Sequence, residues 1–180
     1  MKNLPVKLQQ GNFTVEFAII GVFFALLLVF SADIVVKLAY KGKLERLSYS
    51  AAAIIKERTE VYDTDHFDFE PSKEIGTEAT QLYDITLASL KRTTNNFDPE
   101  KFGFQIRMIR ENKNVRAPFS GGYINCNNTQ SLQDLDFITT FGRHATLYEV
   151  TLCYDTPSWY GNLIGQQFSR VSSRSVSMGR

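Results

Sequence analysis

Residues Gln9 to Ile20 read QQGNFTVEFAII, and the apolar run that opens at Phe17 continues to Ala32 as FAIIGVFFALLLVFSA, without a charge. A glutamate, Glu16, stands at the edge of the most hydrophobic segment of the chain. An acidic side chain costs roughly 2.5 kcal/mol or more at mid-bilayer, so its position there needs a reason. The run of 16 residues is short against the roughly 20 that a membrane-crossing helix needs. Extension back to Asn12 and on past Asp33 to Val36 makes it long enough. The segment 12–36 is therefore expected to cross a membrane once.

Beyond this segment the chain is of ordinary soluble character. Its 180 residues suffice for one domain and an appendage, and its net charge of +1 is mixed along the sequence. A nucleic-acid partner would call for a strongly basic face, and none is expected. The only histidines are His66 and His144, and no serine-hydrolase elbow, zinc-protease helix or phosphate-binding loop occurs. No catalytic residue, metal ligand, cofactor or small-molecule substrate is expected. Asp63, Asp65 and Asp68 could suggest calcium, but His66 and Phe67 interrupt the pattern and no turn glycine is present, so a solvated acidic loop is expected. Cys126 and Cys153 are compatible with one disulfide if the domain lies outside the cytosol, or with two separate buried thiols.

Helical spacing persists after the apolar run. Val35, Leu38, Leu44, Leu47, Ala51, Ile54, Ile55, Arg58 and Val61 recur near a 3.6-residue period. One long helix over about 13–62 is expected, with Gly42 as a point of bending. Its first half suits lipid and its second half suits packing on a domain. Tyr62 to Gly76 reads as a loop. Thr77 to Thr93 reads as a second helix, with Leu82, Ile85, Ser89 and Leu90 on one face, an early acid and late bases. KFGFQIRMIRE and HATLYEVTLCYDT alternate as strands, and QFSRVSSRSVSM is a weaker third. APFSGG reads as a turn-rich loop. TPSWYGNLIG reads as a short helical turn with Trp159 anchoring the end of the domain. The fold class is α+β, with the helices backed by an antiparallel sheet of three or more strands.

Three processing schemes fit the N-terminus. A secretory signal cut after Ala32 would put the large Phe30 where a small residue is needed. An uncleaved signal anchor explains the apolar run but gives no role to Gly11 and Glu16. In the third scheme the basic leader MKNLPVKLQQG, residues 1–11, is removed before the apolar segment. There the chain resembles the prepilins of type IV pili. Gly11 matches the residue before the cut, Asn12 the new N-terminus, and Glu16 the glutamate five residues after the cut. Phe17 matches the aromatic that follows in the Tad (tight adherence) branch, where tyrosine is more usual.

The C-terminal layout is similar to the TadF-type minor pilin or pseudopilin: one cysteine, a strand LYEVTLCY with the second, TPSWYG, and a serine-rich basic end. A pilin-like fold is implied, in which 12–36 spans the inner membrane, 37–62 continues the helix, and 63–180 forms a periplasmic domain. The implied partners are a prepilin peptidase, a TadE-like sister pseudopilin, the major pilin and the inner-membrane assembly platform. The resemblance also implies that Glu16 meets the amine created on Asn12, in its own or a neighbouring subunit. The charge count opposes this orientation, because Lys37, Lys41, Lys43 and Arg46 follow the segment and only Lys2 and Lys7 precede it. The resemblance and the possible disulfide point the other way, and the expectation follows them, with an oxidised Cys126–Cys153 pair whose closure would contribute roughly 3 kcal/mol. The alternative is a signal-anchored periplasmic sensor or binding domain.

Overall fold

The computed structural model describes residues 12–61, 78–109, 118–126, 131–136, 138–140, 142–165 and 169–179. Gly11, the acidic loop with its three aspartates, and the side chains of Asn12, Arg58 and Val61 lie outside the described residues.

Helix α1 runs from Asn12 to Val61 and passes through Gly42 without interruption. Helix α2 spans Glu78–Thr93, with Glu78 in its first turn and Lys91 and Arg92 in its last, an order that complements the helix dipole. Four strands follow: β1 Phe102–Ile109, β2 Phe119–Gly122, β3 Leu147–Asp155 and β4 Arg170–Met178. A six-residue helix α3, Trp159–Ile164, stands between β3 and β4. The sheet order is β2-β1-β3-β4, and every neighbouring pair is antiparallel. The fold is α+β and pilin-like.

The described residues fall into two compact units. One lies within Met1–Val36 together with Ser158–Phe168, the other within Lys37–Pro157 together with Ser169–Arg180. In the second unit the alternation of β1 and β3 places Phe102, Phe104, Ile106 and Met108 beside Tyr148, Val150, Leu152 and Tyr154 on one face. Leu44, Ala51, Ala52 and Ile55 of α1 and Ala79, Leu82 and Leu90 of α2 complete this core. On the opposite face Ile109 and Leu147 form a smaller cluster with Leu132 and Ala145.

Three details of the sequence reading change. Phe119–Gly122 is a strand, not a loop, and pairs with β1 from Gly103↔Gly122 to Ile106↔Phe119. Gly121 hides it from a propensity argument. A side chain there would meet the Tyr83 ring at 2.8 Å, so the residue that weakens the strand signal is the one that admits α2.

The helical seams are also displaced. Val35 and Leu38 are exposed, and the buried row of α1 is Leu44, Ser48, Ala51, Ala52 and Ile55. In α2, Ile85 is exposed and Thr86 takes the inner position, its hydroxyl bonded to the Leu82 carbonyl at 2.8 Å. Ser48, Ala51, Ala52 and Thr86 thus place small or hydroxyl-bearing side chains at buried positions. Ser48, fully buried, shares hydrogen bonds with Ser173 at 3.0 Å and Ser175 at 2.8 Å on β4. Finally, Trp159 is exposed rather than an anchor packed into the domain.

Candidate functional site

The apolar stem comes first. Every described side chain from Phe13 to Leu28 is exposed, and Glu16 is the one charged residue between Phe13 and Ala32. Phe13 and Phe17, four residues apart, stack with ring centroids 6.5 Å apart, flanking Glu16 on the helix surface. Asn12, the first residue of α1, precedes Glu16 by four residues, about one helical turn. Among the described residues, α1 is the one helix long and apolar enough to cross a membrane.

The stem does not end in an unsatisfied acid. Asp33 is 4% exposed, and its two oxygens accept from Ser158 Oγ at 3.0 Å and from the Trp159 backbone N–H at 3.1 Å. Ser158 is also the N-cap of α3, accepting from the Gly161 N–H at 3.1 Å. Phe30 packs edge-on against Tyr160 at 5.0 Å. Asp33 reads in the sequence as a stray charge at the edge of an apolar run. The signal that could have placed it is the Ser-Trp pair after Pro157, a helix start whose first N–H groups need an acceptor.

The head carries a disulfide between Cys126 and Cys153, with Cα atoms 5.6 Å apart and 27 residues of separation. Cys153 lies on β3 opposite Gly103 of β1. A Cβ on Gly103 would lie 2.7 Å from Cys153 Sγ and 3.0 Å from Cys126 Sγ, and would strike the Ile124 carbonyl oxygen. Glycine in mid-strand therefore makes room for the bridge. Downstream of it, Arg170 grips Asp155 with two hydrogen bonds, 2.9 and 3.0 Å, and donates a third to the Asn125 carbonyl. Its hydrogen bonds to Asp155 hold the guanidinium pKa above its ordinary value.

On the same face of the sheet, Glu149 is completely buried and clasped by two arginines. Arg107 on β1 donates to Oε1 from Nε at 2.9 Å and from Nη2 at 2.6 Å. Arg174 on β4 donates to Oε2 from Nε at 2.8 Å, and its Nη2 lies 2.6 Å from the same oxygen. Thr151 Oγ1 donates to Oε1 at 3.2 Å. The carboxylate thus ties three strands together with charge-assisted bonds. In the sequence Glu149 is one more polar residue on an alternating strand, and its partners are set by sheet order. His144 pairs with Asp136 at 2.8 Å, and no group of three or more His, Cys, Asp and Glu that could hold a metal occurs among the described residues.

A long apolar N-terminal helix that continues into an α+β head with a four-stranded antiparallel sheet defines a pilin-like protein. The chain matches the family model of TadF, tight adherence pilin protein F, over residues 5–180, and belongs to that family. Comparison with curated proteins and with solved structures gave no match.

Proposed function

We propose that the protein is a non-catalytic minor pilin or pseudopilin that serves the assembly of a Tad adherence pilus. The observation that carries this reading is the stem: an exposed, predominantly apolar helix surface from Phe13 to Leu28 whose one charge is Glu16, in a chain of the TadF family. In this reading a prepilin peptidase removes residues 1–11 after Gly11. Residues 12–36 then cross the inner membrane, and 63–180 form the periplasmic domain. The chain works with a TadE-like sister pseudopilin, the major pilin and the inner-membrane assembly platform.

The role of Glu16 follows from charge balance. Cleavage converts the Asn12 amide nitrogen into an ammonium at the N-terminal end of α1, one helical turn from Glu16. At an effective dielectric constant of about 20, opposite charges about 4 Å apart attract by about 4 kcal/mol, enough to offset the cost of the carboxylate in apolar surroundings. The pair then specifies depth and register, within one subunit or between neighbours.

Glu16→Ala tests the role directly. The variant should be processed and inserted normally, but lose co-purification with pilin-type partners and fail to restore pili in a deletion strain. Unchanged co-purification with normal pili would reduce Glu16 to an interfacial acid.

A further inference from the structure

We propose that α3 is a second membrane contact: Trp159, Leu163 and Ile164 lie in the boundary between lipid headgroups and acyl chains, held at that depth by Asp33. The inference rests on the reading of α1 as the membrane span and adds to it a separate surface.

Four observations carry it. First, α3 reads WYGNLI, contains no charge, and presents Trp159, Leu163 and Ile164 at 58%, 64% and 48% exposure. Trp159 and Leu163 are four residues apart and therefore share a helix face. Second, the helix is fastened to the stem. Asp33 accepts from Ser158 Oγ and the Trp159 N–H, and Tyr160 packs on Phe30. Third, the depth agrees. Twenty residues separate Phe13 from Asp33, about 30 Å at 1.5 Å per residue, which equals the thickness of the hydrocarbon core. With Phe13 at one boundary, Asp33 and the helix fastened to it fall at the other. Fourth, the side chains suit that boundary. Tryptophan and tyrosine gather at membrane interfaces because one end is apolar and the other forms hydrogen bonds.

Lipid is favoured over a protein partner by size and continuity. Even a large aromatic buries only about 150–250 Å². Three part-exposed side chains fall well short of the roughly 1,000 Å² of a stable protein interface. The patch adjoins the apolar stem and needs no partner beyond the bilayer the stem already occupies. The buried Asp33 also gains a role, since it sets the level of α3 against the span.

Trp159 is the single tryptophan of the chain, so its fluorescence reports α3 alone. The full chain would be reconstituted into phosphatidylethanolamine–phosphatidylglycerol vesicles that carry lipid brominated either near the headgroup or deep in the acyl chain, and recovered by flotation. The expected result is a blue-shifted emission, quenched more by shallow than by deep bromine and weakly by aqueous acrylamide. Asp33→Ala should lose much of the shallow quenching while still floating.

Flotation with free acrylamide quenching and no bromine quenching would overturn the proposal and leave the α1 span standing. Flotation with Trp159 shielded from both quenchers would also overturn it, because a protein surface then covers α3. Failure to float would remove the span itself and the proposal with it.

Discussion

Asp33 and Ser158, 125 residues apart in sequence, meet through a 3.0 Å hydrogen bond between a buried carboxylate and the hydroxyl that caps α3. The same carboxylate takes the Trp159 N–H, so one acid at the end of the apolar run satisfies the start of a distant helix. An aspartate there is tolerable because its partners are fixed and its charge is spread over several donors.

Asp33→Ala should weaken that helix locally rather than unfold the head. Loss of hydrogen bonds to a buried charged acceptor is worth about 1–3 kcal/mol. Hydrogen exchange in detergent micelles should show faster exchange at the Trp159 and Gly161 amides, with β1 and β3 unaffected. Equal protection at those amides in the variant and the parent would mean that the carboxylate does not hold α3.

Glu149 offers a sharper stability contrast. Glu149→Ala strands Arg107 and Arg174 beside each other without the carboxylate that both share. Breaking a buried ion pair by removing one partner costs about 3–5 kcal/mol. The variant should unfold at markedly lower urea. Arg107→Met with Arg174→Met and Glu149→Leu, which removes all three charges, should recover much of the loss. A Glu149→Ala variant as stable as the parent would show the clasp to be energetically idle.

The Cys126–Cys153 bridge closes a long loop, and chain-entropy estimates put its contribution at about 3 kcal/mol. Cys126→Ala with Cys153→Ala should lower the melting temperature. Gly103→Ala should destabilise the oxidised protein strongly and the cysteine-free protein less, because the sulfur collisions vanish while the one with the Ile124 carbonyl remains. Thiol labelling of acid-trapped cells should find no free thiol in the parent. Two free thiols would contradict both the bridge and the periplasmic placement of the domain.

Much of this fold was legible because one face of each main strand is uniformly apolar. Phe102 to Met108 and Tyr148 to Tyr154 alternate cleanly, and the core uses them as the alternation implies. The long helix and the second helix were legible from period and end charges. What escaped reading depends on close approach. Ser48 replaces an apolar residue in the α1 row because β4 brings two serines to it, and Gly121 weakens the strand signal of β2 because Tyr83 covers it. The Glu149 clasp depends on β3 lying between β1 and β4, and the Asp33 contact on where the chain goes 125 residues later. The apolar run, with Glu16 at its edge, is a local feature and is visible without any tertiary contact.

The central claim is that this TadF-family chain is matured as a pilin, with Asn12 as its first residue and Glu16 placed to meet the new amine. The most direct measurement is the intact mass and N-terminal sequence of the protein extracted from membranes of cells with an active prepilin peptidase. The account predicts a chain that begins at Asn12, and retention of residues 1–11 when Gly11 is replaced by leucine. A parent protein that still begins at Met1 in those cells would contradict it.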